Sequence, residues 1–208
     1  LYRMGYFGWD GGHGAIGLAT SADGISWTRY PQNPVFDGAP TYSFVRPGPV
    51  VLVGSTYHMY YRAQNTNTDA VVCHATSPDG ILWTNDVANN PVLTHGSPGQ
   101  WDDVAVIPEA VLKQGAVWKM WYVGYRANQL WRTGYATSSD GIHWVKDTLH
   151  NPILPNGAPG SFDEYEQAVS DVGVAQFVLN DAHRRYVGVD RRGILRGVVV
   201  GRCADEFR

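Results

Sequence analysis

The sequence predicts an all-β fold built from repeated four-stranded antiparallel units, and three observations carry that expectation. A nine-residue pattern, A-T-S-x-D-G-I-x-W, occurs three times, at 19–27, 75–83 and 136–144. An aromatic segment precedes each copy and an Asn-Pro pair follows it. Those aromatic segments are apolar on both alternating faces, so each sheet has to be covered on two sides. Repeated four-stranded units of roughly 40–60 residues, each covered by its neighbours, make a β-propeller with one unit per blade.

Composition narrows the class further. The chain has 208 residues with 24 Gly, 12 Pro, 8 Trp, 12 Tyr and 6 Phe, and only 17% are charged. These values exclude disorder, collagen and coiled coil. Net charge is −3 and no basic run occurs, which argues against nucleic-acid and membrane partners and for uncharged ones. Cys73 and Cys203 are too few for a disulfide framework and form no C-x-x-C pair, so both are expected as small buried hydrophobes. No apolar stretch of about 20 residues occurs, and the start at Leu1 is neither a signal peptide nor an initiator methionine. The true N-terminus is therefore expected upstream, and localisation is not legible.

Along the chain, the first aromatic strand is expected at 2–7, followed by a Gly-rich tip at 9–13 and the first Asp-Gly box. Asn33-Pro34-Val35 closes this unit. An apolar run at 49–53 opens the next, with an aromatic strand at 57–61, the second box and Asn90-Pro91-Val92. The third unit repeats the order with 110–112, 118–123, the third box and Asn151-Pro152-Ile153. In 118–123, Trp118, Met120 and Tyr122 should face one way and Trp121 and Val123 the other. A degenerate fourth copy is expected from 172–175, 185–189 and 197–201. The repeats thus cover about 1–36, 44–93, 104–154 and 168–208 of a single incomplete domain. Each box is expected at the turn from third to fourth strand. There Asp and Gly shape the turn and Trp packs between blades, so the boxes are structural.

Two families place Asp-Gly-Trp turns at this point. Sialidases do so with one more residue between Asp and Gly, and they need an arginine cluster for a carboxylate. Arg46, Arg62, Arg126 and Arg132 form no evident set in the sequence. The chain more closely resembles the five-bladed propellers of the arabinanase, xylosidase and fructosidase type, the family 43 glycoside hydrolases and their relatives. The resemblance lies in K-M-W-Y-V-G at 119–124, G-Y-A-T-S-S-D-G-I-H-W at 134–144, N-P-V-L at 90–93 and G-Q-W-D-D at 99–103, and weakens after about Asp163.

That resemblance implies carboxylate acid/base hydrolysis of a polysaccharide or oligosaccharide. It places an Asp in the first blade, an Asp in the second and a Glu in the third, at the starts of the innermost strands. Aligning 46–50, 107–111 and 170–174 makes Glu109 and Asp171 the inner-strand carboxylates. Glu109 matches the general acid. The first-blade Asp would precede Leu1, and the second, expected near Pro47 or Gly48, is absent.

Asp171 and Asp103 are the further catalytic candidates. Arg46, Trp9, Asp10 and Trp101 are candidates for binding sugar hydroxyls and rings. The Trp101-Asp102-Asp103 run and its echo, Phe162-Asp163-Glu164, stand equally as cavity mouth or loop closure. The seven histidines show neither an i, i+4 pair nor H-E-x-x-H, so no metal site or cofactor is expected; a central-channel calcium is compatible with the resemblance. No phosphate-binding Gly loop and no G-x-S-x-G elbow occurs. Two alternatives stand beside the enzyme: a non-catalytic carbohydrate-binding propeller, and a fragment or assembly module. Boxes spaced 56 (Asp23 to Asp79) and 61 residues (Asp79 to Asp140) divide the chain into about 3.6 blades. Self-association through open blade faces is therefore expected.

Overall fold

The computed structural model describes residues 1–38, 40–64, 69–126, 131–164 and 172, together with two later strands at 186–189 and 195–199. Residues 1–172 and 173–208 form two separate units. The described residues are β-strands, turns and loops, with no helix.

In the first unit, β1 (Tyr2–Trp9), β2 (Gly14–Ser21) and β3 (Thr28–Arg29) form one antiparallel blade. The second blade has an inner edge in two pieces, β4 (Phe44–Arg46) and β5 (Val50–Val53). Both pair with β6 (Thr56–Gln64), which is followed by β7 (Val71–Ser77) and β8 (Thr84–Asn85). A parallel contact of Gly14 with Phe44 joins these two blades into one eight-stranded sheet. The third blade is a four-stranded sheet in the order β12-β11-β10-β9: β9 (Ala105–Gln114), β10 (Val117–Tyr125), β11 (Arg132–Ser138), β12 (Val145–Lys146). In the second unit, β13 (Tyr186–Val189) and β14 (Leu195–Val199) pair antiparallel.

Side-chain alternation explains why the blades stack. On β6 and β7, Met59, Tyr61, Ala63, Cys73 and Ala75 pack with Ile16 and Phe36 of the first blade. Their alternates, Tyr60 and Val72, pack with Val106, Val111, Trp118, Met120 and Tyr122 of the third. The middle blade is thus buried on both faces by period-two patterning. Trp118, Met120 and Tyr122 share one face as the sequence predicts. Cys73 is fully buried, and burial pushes its thiol up to about 11; Cys203 lies outside the described residues.

All three boxes adopt one turn. The Asp carboxylate accepts the backbone N–H groups two and three residues on: Ile25 and Ser26, Ile81 and Leu82, Ile142 and His143, at 2.8–2.9 Å. The box Ser donates to the same carboxylate and accepts from the Gly N–H. Gly24, Gly80 and Gly141 have φ of 81°, 74° and 83°, which disfavours any other residue. These bonds hold Asp23 and Asp79 below the usual carboxylate range, and Asp140 is lowered first by the His143 imidazole at 2.7 Å and then by the same backbone bonds. Each later box also docks on the blade before it. Arg3 donates to the Asp79 carbonyl and Tyr60 to the Gly141 carbonyl, while Trp144 meets Tyr60 edge to face at 5.5 Å.

The Asn-Pro pairs have a function that the sequence does not reveal. Counting β1 as the second strand of its blade, so that β2, β7 and β11 are third strands, Asn33, Asn90 and Asn151 each accept from a third-strand N–H (Leu18, His74, Tyr135; 2.7–2.8 Å) and donate back to the same residue's carbonyl at 2.8–2.9 Å. The side-chain amide thus stands in for a fourth-strand peptide, beyond a fourth strand only two residues long. Each also donates to a second-strand tyrosine: Tyr6, Tyr61 or Tyr122.

Replacing Asn90 by Ala leaves the His74 N–H without its partner, while the His74 carbonyl keeps the Asp86 N–H at 3.1 Å, and should cost about 1–3 kcal/mol in urea unfolding; a loss under about 0.5 kcal/mol would contradict the substitute-peptide role. A second expectation concerns acid. His58 Nδ1 lies 3.0 Å from His74 Nε2, and His74 Nδ1 lies 3.0 Å from Asp86. Burial lowers both imidazole pKa values. The unfolded chain then binds more protons than the fold, so stability should be full above about pH 6.5 and decline below it. Thermal melts at pH 7.5 and 5.0 check this: His58→Gln should flatten the decline, and an unchanged slope would assign it elsewhere.

Candidate functional site

The inner edge of the third blade carries a bulge. Pro108 pairs with Tyr122 and Ala110 with Trp121, leaving Glu109 without a partner across the strand. An extra residue of this kind re-aims its side chain, and Pro108 is tolerated there because it has no N–H to lose from the ladder. The second blade repeats the arrangement. Arg46 pairs with Arg62 and Val50 with Met59, so the three residues Pro47, Gly48 and Pro49 lie opposite the two residues Tyr60 and Tyr61. Tyr60 N–H donates to the Pro49 carbonyl at 3.0 Å. Gly48 is therefore the counterpart of Glu109, in agreement with the register read from the sequence. A side chain does not fit there: a Cβ on Gly48 would overlap the Tyr60 carbonyl oxygen and lie 3.1 Å from Pro108 Cγ.

These two inner edges line a cavity of about 630 Å³ whose wall includes Arg46, Arg62, Pro108, Glu109, Val123 and Trp131. The volume suits a mono- or oligosaccharide portion. Glu109 is about half-buried, and burial raises its carboxyl to about 7. No ion pair to Glu109 occurs among the described residues. Trp131 stacks on Tyr125 at 4.5 Å and 25°. A second, mostly apolar cavity of about 230 Å³ lies between the first two blades, bordered by Ile16, Leu18, Met59 and Trp83.

The cavity brings together Glu109 and Arg46 from the sequence candidates and adds Arg62 and Trp131, which sequence reasoning missed. Arg62 becomes visible only when β4 and β6 are placed in register. Arg126 and Arg132 stand elsewhere: Arg126 lies 3.8 Å from Asp103, and Arg132 donates to Asn156.

The other described candidates are not on this wall. Asp103 accepts from the Gly99 N–H at 2.6 Å, and its other oxygen is buried without a partner. Trp101 stacks on Tyr122 at 5.8 Å and covers Gly124 and Gly134. Between them, buried Asp102 accepts from Lys146 at 2.5 Å and from Tyr122 at 3.3 Å. The echo behaves likewise, Glu164 accepting from the Gly160 N–H as Asp103 does from Gly99. Asp10 caps its own turn through the Gly12 and His13 N–H groups, while exposed Trp9 leans on Phe44 at 5.8 Å. Asp171 lies outside the described residues. No cluster of three or more His, Cys, Asp or Glu suited to a metal occurs among the described residues.

No family model and no curated protein matches the chain. Solved structures do, and they share the β-propeller fold of glycoside hydrolases. A thermostable family-43 glycoside hydrolase is 23% identical, with TM-score 0.58 over 74% of this chain and 52% of that one. A family 117 glycoside hydrolase from Zobellia galactanivorans is 22% identical, with TM-score 0.56 over 70% and 44%. A family 32 β-fructofuranosidase from Bombyx mori, solved as a mutant with sucrose, is 19% identical, with TM-score 0.51 over 71% and 34%. The chain thus spans between a third and about half of the length of these proteins.

The Glu109 environment has a consequence for stability. The fold prefers the protonated acid, so its contribution is full below the ordinary glutamate range and is lost as pH rises through about 7. With allowance for its partial exposure, Glu109→Gln should raise stability by about 1–2 kcal/mol at pH 8.5 and leave it nearly unchanged at pH 4.5. Urea titrations at both values check this, and equal effects at the two would show that Glu109 is not desolvated.

Proposed function

We propose that this propeller cleaves glycosidic bonds of an oligosaccharide or polysaccharide, of the arabinofuranoside, xyloside or fructofuranoside type, with Glu109 as the proton donor. The observation that carries the reading is a carboxyl group at an inner-strand bulge, aimed into a sugar-sized cavity and kept protonated to about pH 7 by burial. A group in that state can deliver a proton to the glycosidic oxygen as the bond to the anomeric carbon breaks. Trp131 offers a ring face for a sugar. Arg46 offers donors for hydroxyls. The second carboxylate, as nucleophile or base, is assigned to Asp171, which follows Glu109 by one repeat in the sequence.

A second reading, a carbohydrate-binding propeller without catalysis, has one observation in its favour. Gly48 occupies the place of a second-blade acid, and its surroundings exclude a side chain. Aryl glycosides of arabinofuranose, xylose and fructofuranose separate the two readings. Under the enzyme reading, Glu109→Gln should lower kcat at least 100-fold while the protein still melts cooperatively, and the wild-type rate should fall above about pH 7. Asp171→Asn should lower it comparably. Full activity in Glu109→Gln would remove that residue from the mechanism. Saturable sugar binding with no turnover on any glycoside would favour the binding reading.

A further inference from the structure

Two guanidinium groups stand in the cavity wall, and among the described residues neither is paired with an acid. Arg46 and Arg62 are direct cross-strand partners on β4 and β6, a placement in which like charges repel. Arg62 donates to the neutral amide oxygen of Gln64 at 2.7 Å, while its Nε is buried with no hydrogen-bond partner. Arg46 lies over the rings of Phe7 and Phe44, at 4.5 and 5.2 Å from their centres. Those aromatic faces hold it in place, and no hydrogen bond from its guanidinium occurs among the described residues. Neither arginine is in an ion pair among the described residues. Burial and the charge of Arg46 both make protonation of Arg62 harder than usual. The titratable acid of the same wall, Glu109, is uncharged below about pH 7. The described wall of this cavity is therefore locally positive in a chain of net charge −3.

We propose that Arg46 and Arg62 form an oxyanion subsite in the Glu109 cavity, taking a carboxylate, sulfate or phosphate group. Planar guanidinium forks bind such groups through paired charge-assisted hydrogen bonds, and an anion here would use the orphaned Nε of Arg62 and relieve the repulsion between the two cations. The oxyanion has two sources: an acidic group on the sugar itself, or a free anion such as inorganic phosphate bound beside a neutral sugar. This deepens the carbohydrate reading by adding a charge requirement. It rests on that reading for the sugar and not for the anion.

Isothermal titration of the whole chain, at fixed ionic strength in a phosphate-free buffer, tests it with D-galacturonate, D-glucuronate, inorganic phosphate and, as neutral control, D-galactose. Wild type should bind at least one oxyanion saturably, and each of Arg46→Gln and Arg62→Gln should weaken that binding at least tenfold. Arg62→Lys should fall between wild type and Arg62→Gln, since it keeps charge and loses the fork. Binding of a uronate with none of phosphate identifies the sugar's own acid; binding of phosphate identifies the free anion. Exposed Arg46 lets its variant carry the test if Arg62→Gln does not fold. Absence of saturable binding by every oxyanion, or binding that neither arginine variant weakens, would overturn the proposal. The glycosidase reading stands or falls separately, because the titration needs no turnover: cleavage of neutral glycosides without anion binding sinks only the subsite. Anion binding without cleavage of any glycoside sinks only the hydrolase.

Discussion

A strand with apolar side chains on both faces cannot leave either face in water, and the described blades follow from that constraint. β6 shows it most plainly. Met59 and Tyr61 are committed to the first blade, Tyr60 to the third, and all three are essentially removed from solvent. Burying side chains of this size contributes about 1.5–3 kcal/mol each, so separating the blades would expose far more than any surface contact could offset. Stacking brings the inner edges of neighbouring blades together, and the cavity is the space they leave. The boxes and the Asn-Pro pairs serve the same end. They tie each outer strand to its own sheet by local hydrogen bonds, which frees the faces for packing.

Repeated chemistry was the most legible part of the sequence. The Asp-Gly turns, the aromatic strands and their alternation all follow from local rules of φ, hydrogen bonding and period, and the described blades contain them where those rules put them. The alignment of 46–50 with 107–111 is matched by the strand pairing, because a bulge recurring in two blades preserves register between repeats; its third segment, 170–174, falls almost wholly outside the described residues. The role of the asparagines was hidden. An Asn next to Pro reads as a turn residue, and only the third strand running beside it turns the amide into a substitute peptide.

Residues that act through a partner distant in the sequence were the ones sequence reasoning missed. Arg46 and Arg62 are 16 positions apart, and nothing local says that they face one another; the four arginines weighed in the sequence form no common set, but these two are cross-strand partners. Trp131 gives no periodic signal, since it stands just before β11. The W-D-D run was ambiguous for the opposite reason. Its residue types suit a binding site, yet the carboxylates are engaged in closing the loop and anchoring Lys146 and Tyr122. Composition also averages over local charge: a near-neutral chain sets two cross-strand arginines in the wall of the larger described cavity.

The closed seat at Gly48 also constrains any redesign of the cavity. Its obstacles are a main-chain oxygen of β6 and the ring of Pro108 from the next blade. Trimming a side chain could clear only the second of these, because the first is part of the sheet itself. Introducing an acid opposite Glu109 by point substitution at this position would therefore require shifting Tyr60, whose hydroxyl is bonded to the third box, and with it the seam between two blades. Directed evolution of the pocket thus has an uneven landscape: exposed Arg46 stands on an accessible position, whereas the seat at Gly48 is reachable only through coordinated changes in two blades.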